Sequence, residues 1–325
     1  MKADSIPVAG SGTQRIPYDR KVTLRQYLWR RKTLYLMFLP GLIFLIVNNY
    51  LPMFGVIIAF KAVNYTDGIL GSPWVGFDNF EYLFKTDHAW VITRNTLLYN
   101  GLFIVLTLIF GVALAILLNE VRHKFWGRFY QSTVFLPYFL SMVVIGYIVL
   151  GFLSMDSGFV NKSILKPLGM QEINWYAEPW YWTIILPIVN TWKYMGYASV
   201  IYLAAIAGFD PEYYEAAKLD GANKWQQIRH LTIPLLYPIM VITTLLAIGR
   251  IFYADFGLFY QVPLNAGPLI PTTDVIDTYV YRTFLTNGNI GMSSAAGLYQ
   301  GIVGFVLVLI TNTIVRRKSK ENALF

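Results

Sequence analysis

The segment EYYEAAKLDGANKWQQIRHLTIP, residues 212–234, is polar and rich in helix formers, yet it lies between two long apolar runs. Asp210 and Pro211 precede it, and these are a favoured helix N-cap followed by a residue tolerated at the first helical position. Glu212 and Glu215 fall in the first turn, where the helix dipole favours acids, and Gly221 is a natural stop. The pattern predicts a short helix over 211–220 and a second helical piece over 224–230 leading to Pro234. Neither is apolar enough to enter a bilayer, so the first should rest on the membrane surface. Ala216 and Ala217 let another surface approach the backbone closely, and Glu215 beside them offers a carboxylate to an external Arg or Lys. A small charged knob of this kind suits the docking of a cytoplasmic partner. The plain alternative is an ordinary amphipathic loop helix.

The flanks define the setting. Of 325 residues, 56% are hydrophobic and only 14% charged, against about a quarter charged in soluble domains. Six segments are long enough to cross a bilayer: 34–60, 95–119, 129–155, 179–209, 231–256 and 290–315, at 1.5 Å per residue and about 30 Å of hydrocarbon. Four carry no charge; the fourth holds Lys193, and the fifth holds Arg250 and Asp255. The predicted fold is an all-α integral membrane protein of six transmembrane helices with a short polar helix in the 210–234 loop. Its parts are a basic N-terminal segment 1–33, a membrane domain 34–315 containing the 210–234 loop, and a basic tail 316–325.

With both termini on one side, that side carries eighteen of the 26 Lys and Arg residues, and the other carries six. The positive-inside rule then places both termini, and the 210–230 connection, in the cytoplasm. The net charge of +8 reads as this topology signal, with no basic soluble face for nucleic acid. The first apolar run is too long for a cleavable signal peptide and is expected to remain as a span. There is no cysteine, and His88, His123 and His230 are scattered, so no metal site or disulfide framework is predicted. The outward connections 61–94, 154–180 and 257–289 are rich in Gly, Pro, Asn and aromatic residues. They suit either reception of another protein or lids on the bundle.

EAAKLDG (Glu215–Ala216–Ala217 through Asp220–Gly221) followed by nine residues and LTIP resembles the EAA loop of ABC importer permeases, EAA-x3-G-x9-I-x-L-P. Leu231 and Ile233 stand where Ile and Leu are usual, and Pro234 matches. DTYVYRTFLTNGNIGMSSAAGLYQG, residues 277–301, and the basic tail resemble the carbohydrate branch, specifically its polysaccharide and alginate-type oligosaccharide permeases. The resemblance implies that Glu215, Ala216, Ala217, Asp220 and Gly221 form a coupling helix seated in a separate ATPase subunit. It implies two ATPase subunits, a second homologous permease, an extracytoplasmic binding protein and an oligosaccharide cargo. No Gly-Lys dipeptide occurs, so there is no phosphate loop and this chain needs ATP and Mg on its partners, with no cofactor or catalytic residue of its own.

Charges inside a bilayer are costly and point to function. Lys193 and Arg250 lie ~24 and ~25 Å above the cytoplasmic ends of their spans. Asn190, Lys193 and Tyr197 share a helical spacing, as do Arg250 and Tyr253. With Tyr194 and Asp255 they form a candidate substrate path, in which rings stack on a sugar and donors meet its hydroxyls. Two cations suggest an acidic, uronate-containing sugar, although Asp255 could neutralise one of them. A structural ion pair or snorkelling to the outer surface is the other reading. In related maltose-type permeases the sugar contacts also come from the spans flanking this loop. Ser293, Gly297 and Gly301 predict a close-packing face. Rival functions are import of another small solute, ion-coupled transport, for which paired intramembrane carboxylates are lacking, and a scaffold without transport.

Overall fold

The computed structural model describes residues 32–64, 66–285 and 288–318. Among them there are helices and turns but no strand, only an isolated bridge between Lys61 and Trp74. Most of the N-terminal segment 1–33, and the tail beyond Lys318, lie outside the described residues.

Packing divides the chain after Gly55. In the first unit, helix α1 (Lys32–Leu45) continues through a π-turn, Ile46–Tyr50, and a short helical turn, Leu51–Met53. None of these residues is buried. Leu, Ile, Phe and Val cover every side of α1, as a helix bathed in lipid requires.

The second unit, Val56–Phe325, holds the bundle. Its main helices are α2 (His88–Asn119), α3 (Lys124–Phe139), α4 (Met142–Leu153), α5 (Pro179–Ala207), α6 (Pro211–Leu219), α7 (Ile233–Ile248), α8 (Phe256–Gln261), α9 (Ile276–Leu285) and α10 (Ile290–Lys318). The long helices α2 and α5 pack along their lengths. Tyr99 and Phe103 meet Leu186 and Val189 at one end, and Val112 and Ala115 meet Ala198 and Tyr202 at the other. Lipid tails are as apolar as these side chains, so the contact gains from close packing rather than from escape from water. A Cβ on Gly196 would lie 2.1 Å from the carbonyl oxygen of Val134, so only glycine allows α3 to lie this close to α5.

Three expectations need correction. The span expected over 129–155 is two helices, α3 and α4, meeting at about 100°. Pro137 removes a backbone donor near the end of α3, and Ser141 starts α4 as an N-cap, accepting from the N–H of Val144 at 3.3 Å. The span expected over 231–256 stops at Ile248, with Gly249 as C-cap. Asp255 then opens α8 by accepting from the N–H of Leu258 at 3.1 Å. Arg250 and Tyr253 therefore lie in a turn and share no helix face. Finally, Gly297 and Gly301 of α10 have open space where a Cβ would stand, so within the described chain they serve no close packing.

The count of six is likewise not reached by length and apolarity alone. Four runs pass that test, namely Lys32–Phe60, His88–Asn119, Lys224–Ile248 and Ile290–Arg317, and the bent α3–α4 pair makes a fifth. Helix α5 is long enough at 29 residues, but it carries polar groups that it buries among its neighbours: Asn190, Thr191, Lys193 and Ser199.

The connections at the α2 N-terminal end are tied down. Asn161 donates to the Ile173 carbonyl at 2.9 Å and accepts from the Trp175 indole at 3.0 Å. Asn95 of α2 donates to the Asp274 carbonyl at 2.9 Å, and the buried Asp274 carboxylate is paired with Arg282 of α9. Asn100 donates across to the Ile251 carbonyl at 2.8 Å.

Candidate functional site

Two features stand at different levels of the bundle, one at the 210–230 loop and one midway along the helices. The first is the knob. Helix α6 begins at Pro211, and the Asp210 carboxylate accepts from the N–H of Glu212 at 3.0 Å. At its other end Gly221 takes φ +79°. The Gly221 N–H reaches the Lys218 carbonyl at 3.1 Å, and the Ala222 N–H reaches the Ala217 carbonyl at 2.9 Å. This Schellman closure satisfies carbonyls that a helix end leaves bare. Asn223 and Gln226 form a reciprocal capping box for the next turn, Lys224–Gln227. The loop is thus locally stiff. Tyr214 and Thr232 hydroxyls hydrogen-bond at 3.1 Å, holding α6 to the start of the next membrane helix.

Glu215, Ala216, Asp220 and Gly221 are exposed, and Ala217 is half-buried. The structure adds Tyr213 and Leu219, the latter 89% exposed. Sequence reading passed over Leu219 because its apolar character fits the amphipathic pattern of any surface helix. Beneath the knob, Glu215, Lys218, Lys224 and Glu120 border a cavity of about 340 Å³, and Lys224 pairs with Glu120 at 2.7 Å.

The second feature is a cleft of about 280 Å³ between α2, α5 and α7. Its walls include Phe103, Thr107, Tyr194, Tyr197, Tyr202 and Thr243. Tyr138 of α3 stacks on Tyr197 with ring centroids 4.7 Å apart and planes at 12°, and Phe135 extends the stack at 6.3 Å. Aromatic faces flanked by hydroxyls fit a sugar ring, which offers C–H groups on its faces and hydroxyls around its edge. Tyr138, Phe135, Thr107, Tyr202 and Thr243 were missed in the sequence. The aromatic run FLPYF, residues 135–139, was the available signal, but it was hidden inside a presumed continuous span.

Of the predicted path residues, Tyr194 and Tyr197 line this cleft. Asp255 is connected to it, accepting from the Tyr194 hydroxyl at 2.7 Å. Asn190 and Lys193 are buried outside its lining. The Lys193 ammonium donates to the carbonyls of Tyr138 and Leu140, the bare C-terminal carbonyls at the α3–α4 bend. Arg250 and Tyr253 are exposed. Among the described residues Arg250 has no ion-pair partner, and Asp255 pairs with neither cation. The geometry therefore does not gather the two cations around one cavity. Among the described residues no cluster of His, Asp and Glu suited to a metal occurs.

A helical membrane bundle with an aromatic cleft between the helices that bracket an exposed loop knob has the features of a membrane permease. The family description for the binding-protein-dependent transport system inner membrane component matches residues 107–320, and the chain belongs to that family. It is 36% identical over 305 residues, 93% of this chain and 94% of the relative, to the polygalacturonan/rhamnogalacturonan transport system permease protein YteP of Bacillus subtilis (strain 168). It is 33% identical over 294 residues, 90% of this chain and 92% of the relative, to the protein LplB of the same organism. A crystal structure of a bacterial ABC transporter involved in the import of the acidic polysaccharide alginate superposes with TM-score 0.82 at 33% identity. It covers 90% of this chain and 98% of that one.

Proposed function

We propose that this chain is a permease subunit of an ATP-driven importer that moves an oligosaccharide, uronate-containing, inward across the cytoplasmic membrane. The observation that carries it is the cleft walled by Tyr194 and Tyr197 between α2, α5 and α7, with α6 exposed on the loop that joins α5 to α7. In this reading Glu215, Ala216, Ala217, Asp220 and Gly221 seat in a cleft of an ATPase subunit, with Tyr213 and Leu219 as apolar anchors. A second homologous permease, two ATPase subunits holding ATP and Mg, and an extracytoplasmic binding protein complete the assembly. The Lys and Arg bias supports termini in the cytoplasm. ATP-driven closure of the ATPase pair would move the two α6 helices together and turn the bundles outward, and hydrolysis would reset them.

The acidic cargo is supported by the similarity to a polygalacturonan/rhamnogalacturonan permease and to an importer of the acidic polysaccharide alginate. A neutral oligosaccharide is the second reading, favoured because no charged side chain lines the cleft. The test is stimulation of ATP hydrolysis in the reconstituted complex by matched neutral and uronate oligosaccharides. Uronates alone should stimulate. Stimulation by neutral sugars alone removes the acidic cargo, and stimulation by neither class removes the carbohydrate reading. Glu215→Ala should abolish uptake while leaving the isolated chain folded; unchanged ATP-driven uptake in vesicles would refute the coupling role.

A further inference from the structure

The outer faces of α2 and α5 carry two hollows that neither the knob nor the cleft uses. One, of about 370 Å³, is bordered by Arg94, Asn95, Tyr99, Thr183 and Thr272 with Leu98 and Leu102. The other, of about 490 Å³, is almost wholly apolar and is bordered by Leu106, Phe110, Ile184, Ile188 and Met195, among others. Leu102 and Thr183 belong to both, so the two form one continuous groove. It runs from a polar mouth to an apolar channel. From Arg94 to Phe110 along α2 is ~24 Å, about the half-thickness of a bilayer including its headgroups. The mouth lies at the end of α2 far from the knob, because the opposite end, Asn119–Glu120, borders the α6 cavity.

The mouth has unused donors. Arg94 is exposed and directs Nε and one Nη2 hydrogen to the Asn95 side-chain oxygen, at 3.2 and 3.0 Å. Its remaining N–H groups meet no partner among the described residues. No carboxylate lines the mouth, so nothing there would hold an ammonium or choline group. A guanidinium with free N–H groups meets phosphate oxygens well.

We infer that this groove binds an anionic glycerophospholipid, with its phosphate at the exposed Arg94 guanidinium and one acyl chain laid along Leu102, Leu106 and Phe110 between α2 and α5. The order of polarity along the groove matches the order of groups along a lipid, and this favours a lipid over a protein helix, whose side chains would not place a single anion at one end.

The experiment counts phospholipids retained by the protein, purified with its partners in mild detergent, by native mass spectrometry after exchange with dioleoyl-phosphatidylglycerol or dioleoyl-phosphatidylcholine. The wild type should keep phosphatidylglycerol in preference to phosphatidylcholine. Arg94→Gln should lower that retention by on the order of tenfold, the worth of one charge-assisted pair. Leu106→Trp, which fills the channel and leaves the mouth intact, should lower it as well. Equal retention of the two lipids, or retention unchanged in both variants, overturns the inference. The chain has no cysteine, so Met195→Cys gives a single thiol inside the groove. If it cross-links efficiently to another polypeptide in native membranes, a protein covers the groove and the lipid site is refuted. None of these outcomes bears on sugar-stimulated hydrolysis, so the transport reading is tested separately.

Discussion

At the scale of single residues, Lys193 is the most instructive. A lone cation in an apolar helix suggests cargo, yet its ammonium sits on two main-chain oxygens at the α3–α4 bend. Replacing it by Met should strand those carbonyls and lower stability by about 1–3 kcal/mol, seen as a lower melting temperature of the cargo-free protein in detergent. A role confined to cargo would leave the melting temperature unchanged and alter only the response to sugar. Tyr197 makes the opposite prediction. It is half-exposed on the stack with Tyr138, so Tyr197→Ala should weaken sugar stimulation by roughly 2–10-fold, the worth of about 0.5–1.5 kcal/mol of ring stacking, with little change in melting. The contacts of Lys193 could not be read from sequence because its partners lie 55 and 53 positions away in the chain. The helical spacing that joined Asn190, Lys193 and Tyr197 in the sequence brings only Tyr197 of the three to the cleft, where Tyr194 also lies.

At the scale of elements, the same division holds. Helix α6 was legible to within a residue, since Asp210, Pro211 and Gly221 act within their own turn. The break between α3 and α4 was written just as locally, in Pro137 and Ser141, but the unbroken apolarity of 129–155 outweighed it. Length and hydropathy report burial in lipid, and they say nothing about direction. The early end of α7 was lost in a similar way: Gly249 was treated as one more residue of a helix, and a shared face for Arg250 and Tyr253 followed from that error. The α3–α5 contact gives a further test. Gly196→Ala drives a methyl into the Val134 carbonyl, and overpacking of this kind costs about 1–3 kcal/mol. The variant should melt lower and expose α3 to proteolysis, while α6, on the loop after α5, stays intact.

At the scale of the whole molecule, the residues outside the spans are as informative as the spans. Burial holds the carboxyls of Asp274 and Asp277 above their ordinary value of 3.8, against the pull of Arg282 and Thr278 on the first and of the Ala254 N–H and Gln300 on the second. An acid whose value is raised on folding binds its proton more tightly in the folded state. Its contribution to stability is therefore fully present below its unfolded value and is lost as pH rises through its folded value. The region around α9 should thus become firmer as pH falls. Hydrogen exchange over 270–285, corrected for the intrinsic pH dependence of exchange, should slow on acidification, and Asp277→Asn should flatten that dependence. The helical, apolar character was plain in the chain, whereas the tying of this region to α2 was not, because Asn95 finds the Asp274 carbonyl 179 positions away.

Helix α2 has one more consequence. At one end Asn95 grips the segment before α9. At the other, Val112 and Ala115 are locked among Ile206 and Leu236, the neighbours of the α6 loop. A rod of 32 residues, about 48 Å long, clamped at both ends behaves like the connecting rod of a pump. A push delivered at the α6 end would be felt at the far mouth even when nothing occupies the space between.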